Sequence, residues 1–315
     1  MEREKKPFVL AVAGPTASGK TWLGVELAKA YNGEVVSADS MQIYKGMDIA
    51  SAKPTVEEMQ GIPHHLISVL DRDTSFSAAD YVKMAKEAID DILSRGKLPI
   101  IVGGTGLYID SLLNNVQFAE IKCDPAYRES LYEISRREGN EGLYAQLLAA
   151  DPAAAESIHM NNTVRLVRAL EVINATGRRF SDLKAESIAE ESPYDSLILG
   201  LNADDRQKLY DRINMRVDAM LEAGLVEEAR GLWQENMATA ANAIGFKELI
   251  PFFEGTMSFD DCIDKIKQET RRYAKRQLTW FRRNNRIAWI IIDDFSAKYE
   301  ILEKSEKAIE NYGRV

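Results

Sequence analysis

Residues 14–21 read Gly14-Pro15-Thr16-Ala17-Ser18-Gly19-Lys20-Thr21, an instance of the pattern G-x-x-x-x-G-K-[ST]. The flanks give the pattern physical meaning. Phe8-Val9-Leu10-Ala11-Val12-Ala13 before it is a short apolar run suited to a buried strand, and Trp22 to Tyr31 after it has helical apolar spacing. A glycine-rich turn between a strand and a helix N-terminus gathers several backbone N–H groups into one small space, where the helix dipole adds positive potential. The stretch therefore reads as a phosphate loop (P-loop), the nucleotide-binding motif of ATP-binding proteins, with Lys20 reaching the outer phosphates and Thr21 ligating Mg2+. It limits the substrate to something carrying a di- or triphosphate and leaves open whether that is a nucleotide.

Outward from this loop, strand-like runs occur at 8–13, 34–37, 65–69, 98–102, 197–201 and 287–292. Most are continuously apolar, as strands buried on both faces of a parallel sheet should be. A helix is expected from about Ala78 to Arg95, started by Ser77-x-x-Asp80 and stopped by Gly96. From about Ile121 to Pro193 strand signals vanish. Asp124-Pro125 and Asp151-Pro152 each pair an N-cap with a proline at the first helical position, and Gly139 and Gly177 are helix stops. Three or four helices are expected there. The predicted fold is α/β: a P-loop-containing, mostly parallel sheet flanked by helices, with an all-helical insertion domain. Residues 1–120 form the first part of the core, 121–195 the insertion, and 196–315 the second part with basic C-terminal helices.

The chain has 315 residues, 45% of them hydrophobic, enough for a substantial core. No stretch approaches the ~18 apolar residues of a membrane helix. Met1-Glu2-Arg3-Glu4-Lys5-Lys6 lacks an apolar signal core, and the two cysteines, Cys123 and Cys262, have no metal-ligand spacing. A cytoplasmic protein without membrane contact is expected. Net charge is −9, but Lys265 to Arg286 holds nine basic residues and one acid, Glu269, so this segment is +8 and the remainder −17. Such separation makes a basic face on an acidic protein.

Several residues outside the loop have chemistry to offer. Asp39, in Ser37-Ala38-Asp39-Ser40-Met41-Gln42, follows the second strand, and ligands in open parallel sheets bind beyond the carboxyl ends of the strands. Position alone leaves it a general base, a Mg2+ ligand or a helix cap. Val102-Gly103-Gly104-Thr105-Gly106 ends another strand, and its glycines admit either a ligand or a tight turn. Arg212 and Arg216 are four apart on a helix near Arg206–Glu222, with no acid three or four residues from either. An external anion such as a diphosphate would relieve their repulsion, though solvated surface arginines fit as well. The basic run Arg271 to Arg283, which includes Arg276, suits RNA, with Tyr273 and Trp280 expected in the core. In the insertion, Arg165 and Arg168 stand three apart and suit backbone phosphate, although Glu171 can pair with Arg168. His64 and His65 are expected to be structural.

Taken together these stretches resemble the tRNA dimethylallyltransferase (bacterial tRNA isopentenyltransferase) family. The matching features are the phosphate loop, Asp39-Ser40-Met41-Gln42-Ile43-Tyr44-Lys45-Gly46-Met47-Asp48, Ala52-Lys53-Pro54, Pro63-His64-His65-Leu66 and Val102-Gly103-Gly104-Thr105. Downstream lie Arg165-Leu166-Val167-Arg168-Ala169-Leu170-Glu171-Val172, the Arg212/Arg216 helix and Ala274-Lys275-Arg276-Gln277-Leu278-Thr279-Trp280. The match runs through nearly the whole chain in order. It implies transfer of a five-carbon group from dimethylallyl diphosphate to the exocyclic amine of the adenosine 3′ of the anticodon, with release of diphosphate. The implied catalytic set is Asp39 as base, Thr16, Arg216 and Thr105. Gly14 to Thr21 with Arg212 and Arg216 would hold the diphosphate, with Mg2+ on Thr21. Asp39 to Gln42, Thr105, Val164 to Arg168 and Arg276 would meet the tRNA anticodon stem–loop, whose reacting base must be flipped out of its stack. The expected protein is a monomer. Some eukaryotic relatives carry a C-terminal zinc finger, and no cysteine follows Cys262 here. A P-loop small-molecule kinase would explain the loop and Asp39 but leave the basic helix without a task. A prenyltransferase acting on free adenine nucleotides would need the same site with little RNA surface.

Overall fold

A computed structural model describes residues 6–119, 121–122, 124–188, 190–235, 237 and 239–313. In chain order the core opens with β1 (Phe8–Ala13), α1 (Lys20–Ala30), β2 (Gly33–Ser37), α2 (Val56–Met59), β3 (His64–His65), α3 (Ala78–Ser94), β4 (Leu98–Gly103) and α4 (Gly106–Leu113). Helices α5 (Pro125–Glu138), α6 (Glu141–Ala150), α7 (Pro152–Ser157), α8 (Thr163–Thr176) and α9 (Phe180–Glu186) follow. The chain then continues through β5 (Asp195–Asn202), α10 (Arg206–Glu222), α11 (Leu225–Leu232), α12 (Ile250–Phe253), α13 (Phe259–Phe281), β6 (Ile287–Ile291) and α14 (Lys298–Tyr312).

The strands form one sheet in the order β3-β2-β4-β1-β5-β6, with every pair parallel. Alternating side chains feed two apolar layers. Val9, Ala11 and Ala13 of β1 join one, while Leu10 and Val12 join the other. Both faces are covered, which is why the strands read as unbroken apolar runs. The first layer receives Ile89 of α3, Leu112 of α4 and Ile266 of α13; the second receives Leu23 and Leu27 of α1, Ile213 of α10 and Ile309 of α14. Chain order reverses between β1 and β4, so the carboxyl ends of β1, β2 and β4 lie together at the switch point where such sheets bind ligands.

Contacts divide the chain into a core unit, residues 1–113 with 193–315, and a second unit, 114–192. The second unit has its own apolar centre, including Leu131, Leu143, Leu147, Leu166 and Leu170. Asp124 caps α5 and Asp151 caps α7, each ahead of its proline, and the fully buried Asp151 carboxylate also accepts from the backbone and hydroxyl of Ser181. Five helices stand here among the described residues, where three or four were expected, because α7 and α9 are too short to show a period.

The strand expected at 65–69 is confined to β3. Leu66 and Ser68 take left-handed backbone angles, φ 62° and 53°. These break the extended path, and the chain instead bonds to the loop after β2, with Ser68 N to Gln42 O and Val69 N to Ile43 O. His65 is structural as expected. Its ring bonds the Glu34 carboxylate at 2.8 Å, and Lys97 and Arg95 complete the cluster. Arg95 foremost, with Lys97 and His65, holds the Glu34 carboxyl well below the usual carboxylate range against the cost of burial. Cys262 is buried with a free thiol, and Cys123 lies outside the described residues.

Glu34 sits at the end of the sheet away from the phosphate loop, so its removal tests stability alone. Glu34→Gln should cost about 3 kcal/mol at neutral pH, at the low end for breaking a buried pair because the partners stay partly hydrated. The carboxylate's contribution is full above the unfolded pKa of about 4.3. It is lost as pH falls through the depressed folded value, so denaturant melts of the two proteins should converge in acid.

Candidate active site

The loop between β1 and α1 takes its shape from a few backbone angles. Gly19 caps α1 at φ 92°, and Ala17 adopts φ 62° without being glycine, a conformation that carries strain. Left-handed residues next to right-handed ones turn successive N–H groups inward, which makes an anion nest at the helix N-terminus. Lys20, the first residue of α1, folds back over the loop and donates from Nζ to the Pro15 carbonyl at 2.6 Å.

This loop lines a cavity of about 250 Å³ in the core unit. Thr16, Lys20 and Thr21 form one wall; Asp39 to Gln42 approach from β2, and Gly103 and Gly104 from β4. Arg216 of α10 and Tyr273, Arg276 and Gln277 of α13 line it as well. Two cross-links align the antiparallel helices α10 and α13: Asn214 with Arg271 at 2.7 Å, and Asp218 with Lys267 at 2.6 Å. Arg216 lies between the two linked residues of α10.

Asp39 is both cap and candidate base. Its Oδ1 accepts from the backbone N–H of Met41 at 2.8 Å and of Gln42 at 3.3 Å, while Oδ2 has no hydrogen bond among the described residues. The cap fixes the carboxylate and leaves one oxygen available. Thr105 braces the same segment, its Oγ1 accepting from Ser40 N at 3.2 Å. Gln42 is occupied internally: its Oε1 accepts from Ser37 Oγ, and its Nε2 donates to the Ser51 and Ala52 carbonyls.

Of the cations that line the cavity with this one carboxylate, Lys20 and Arg216 are partly buried while Lys247 and Arg276 are exposed. Arg216 donates to Thr16 Oγ1 at 3.4 Å and to the Ala52 carbonyl at 3.3 Å. Burial lowers its pKa, opposed by the nearby Asp39. Burial, then repulsion from Arg216, brings the Lys20 ammonium down to about 7, again opposed by Asp39. An arriving anion would offset both penalties.

Gln277 is a site residue that the sequence reading left without a role. It is 5% exposed; its Oε1 accepts from Thr16 N and its Nε2 donates to the Gly104 carbonyl, both at 2.9 Å. One carboxamide thus ties the phosphate loop to the tip of β4. A Cβ on Gly104 would lie 2.1 Å from Gln277 Nε2, so any side chain there would displace this carboxamide from its bonds. A signal existed: Gln277 falls on the buried stripe of α13 with Ile263, Ile266, Ala274 and Phe281, where a polar residue is informative. Trp280 and Tyr273 were expected in the core, and both are only partly buried: Trp280 packs against the core and bonds Asp110 at 2.5 Å, while Tyr273 lines the cavity and carries Arg276 5.7 Å above its ring.

Other expected site residues are placed differently. Arg212 does not line the cavity, because it stands a full turn, about 6 Å of rise, from Arg216. Leu166 and Val167 are 0% and 1% exposed and belong to the centre of the insertion, so only Val164, Arg165 and Arg168 of that run reach its surface. Glu171 pairs with Arg128 at 2.6 Å, the partner that helix spacing had suggested for Arg168 notwithstanding. On the basic segment Arg272, Lys275, Arg282 and Arg283 are exposed, and Arg272 pairs with Glu269.

A family model described as IPP transferase matches residues 42–284. The chain is 49% identical over 291 residues to a tRNA dimethylallyltransferase of Bacillus subtilis, covering 92% of each chain. A tRNA dimethylallyltransferase of Thermoanaerobacter sp. is 48% identical over 301 residues, covering 94% of this chain and 95% of the relative. Among solved structures, the full-length tRNA isopentenylpyrophosphate transferase of Bacillus halodurans superposes with TM-score 0.72 at 42% identity, over 97% of this chain and 96% of that one. A eukaryotic dimethylallyltransferase acting on tRNA superposes with TM-score 0.80 at 31% identity, over 97% of this chain and 80% of that one.

The depressed Lys20 ammonium gives a sign to the pH dependence of anion binding. Free Lys20 is charged below about 7 and neutral above it, whereas a bound anion holds its proton. Binding of inorganic pyrophosphate should therefore take up protons above pH 7, and affinity should fall with rising pH by at most about tenfold per unit from this group. Calorimetry in buffers of different ionisation enthalpy measures the uptake. Lys20→Met should lack it once the ligand's own titration is subtracted; equal uptake in both proteins would exclude Lys20 as the titrating group.

Proposed function

The chain belongs to the IPP transferase family, and from that premise we propose that it transfers a dimethylallyl group from dimethylallyl diphosphate to the exocyclic amine of a tRNA adenosine, the one 3′ of the anticodon. The observation that carries the residue assignment is the meeting of the phosphate loop, Asp39 and Arg216 on one cavity. The adenosine amine attacks the first carbon of the donor as the bond from that carbon to the diphosphate oxygen breaks. The electron pair leaves with the diphosphate, and the amine proton passes to Asp39 Oδ2. An adenine amine is a poor nucleophile because its lone pair is delocalised, so a base positioned at the attacking nitrogen lowers the barrier. Lys20, Arg216 and the loop N–H groups stabilise the charge that grows on the leaving group. Thr16 and Thr105 act beside these groups, Thr16 against Arg216 and Thr105 against the Asp39 segment.

The donor set suits a magnesium ion shared with the substrate. Among the described residues no group of three His, Cys, Asp or Glu side chains forms a metal cage, so an ion at the loop would take most of its oxygen ligands from phosphate and water. The Thr21 hydroxyl is the loop's ligand candidate, and the ion when bound supplies further neutralisation of the diphosphate.

The tRNA is held by phosphate contacts from exposed cations, Arg276 on α13 and, on the insertion, Arg165 and Arg168. No helix among the described residues is long and apolar enough to cross a membrane. We expect a cytoplasmic monomer.

Incubation with labelled dimethylallyl diphosphate and total bacterial tRNA, followed by nuclease digestion, should yield a prenylated adenosine. Label on AMP in preference to tRNA, or phosphate transfer from ATP to a nucleoside, would overturn the reading. Asp39→Asn keeps the oxygen that caps Met41 and Gln42 and should slow transfer at least about 10²-fold with tRNA affinity retained; full turnover would remove Asp39 as base. Arg165→Ala combined with Arg168→Ala should weaken tRNA binding and reduce the slope of log K against log salt by about 1–2. An unchanged slope would mean these arginines do not meet phosphate.

A further inference from the structure

Glu228 lies on α11, outside the residues that line the cavity, yet it shapes one wall. Its carboxylate accepts three consecutive backbone N–H groups 178–180 residues earlier in the chain: Asp48 and Ile49 at 2.8 Å on Oε2, and Ala50 at 2.9 Å on Oε1. Three inward N–H groups in a row form a nest that needs an anion, and here the protein supplies it. The segment then turns through Ala52, held at φ 47°. The Ala52 carbonyl accepts from Arg216 Nη2 and from Gln42 Nε2. Among the described residues the Arg216 side chain makes two hydrogen bonds, the other being to Thr16. One of its two tethers is therefore set by a loop whose position Glu228 fixes.

We propose that Glu228 is a positioning residue for the transfer step: by clamping the amides of residues 48–50 it sets the Ala52 carbonyl, and through that carbonyl holds the Arg216 guanidinium at the mouth of the phosphate loop. Glu228 itself touches no reacting atom. This rests on the reading of Arg216 as the group that stabilises the leaving diphosphate. The choice of a carboxylate follows from the donors. A glutamine keeps one oxygen, but its amide nitrogen would point a donor at a donor. The clamp therefore fails by misplacement without loss of bulk.

The test is a double-mutant cycle on transfer from dimethylallyl diphosphate to tRNA. Arg216→Ala alone measures the underlying reading. Glu228→Gln should lower kcat about tenfold, leave the KM for tRNA within about twofold, and cost no more than about a further twofold when added to Arg216→Ala. A purely structural role would lower the melting temperature and the active fraction and act multiplicatively with Arg216→Ala. Multiplicative losses, or unchanged kcat in Glu228→Gln, overturn the proposal. If Arg216→Ala is itself fully active, the reading of Arg216 fails instead. Glu228→Asp keeps the charge one methylene short, and should the glutamine variant not fold, it carries the same cycle with the same criteria.

Discussion

Two partly buried cations beside a single carboxylate set the terms for this molecule. Lys20 and Arg216 repel each other, burial penalises both, and Asp39 offsets only part of the cost. Left empty, the site carries an unbalanced positive charge where the dielectric is low. An anion with more than one negative charge resolves that imbalance, and a diphosphate departing from a carbon gains charge as the reaction proceeds. The same electrostatics thus bind the donor and favour its cleavage.

Charges brought together in this way must be braced, and the bracing comes from far along the chain. Gln277 joins Thr16 to Gly104, the α10–α13 cross-links aim Arg216, and Trp280 with Asp110 seats α13 on α4. None of these contacts is made with phosphate, yet each limits where a charged group can move. Much of the run Lys275 to Trp280 serves this purpose. Lys275 and Thr279 are exposed, Arg276 is exposed and lines the cavity, Gln277 is buried between the phosphate loop and the tip of β4, and Trp280 holds α4.

The phosphate loop, the sheet and the helical insertion were legible because each is written locally, in a strand-turn-helix pattern, in apolar runs, or in Asp-Pro starts. Asp39 was legible through its place after β2. Other features depended on pairings that no local pattern records. Arg212 and Arg216 look equivalent on a helix face, and only the register of α10 on α13 separates them. Gln277 and Glu228 act on residues 261 and 180 positions away. Leu166 and Val167 sit inside a motif that reads as RNA-facing, but a 3.6-residue period turns them into the insertion's centre. The short β3 was hidden because nothing about Leu66 or Ser68 announces left-handed backbone.

The register of β1 has a consequence for synthesis. This strand pairs on one side with β4, from Leu10 with Ile100 to Ala13 with Gly103, and on the other with β5, from Phe8 with Asp195 to Ala13 with Gly200. A nascent chain can close the first pairing once about a third of it has left the ribosome, but the second must wait for the insertion to emerge. Until then one apolar strand edge at the middle of the future sheet lacks its neighbour, the kind of edge that recruits foreign strands. An insertion that packs around its own apolar centre can fold during that wait without competing for the exposed edge.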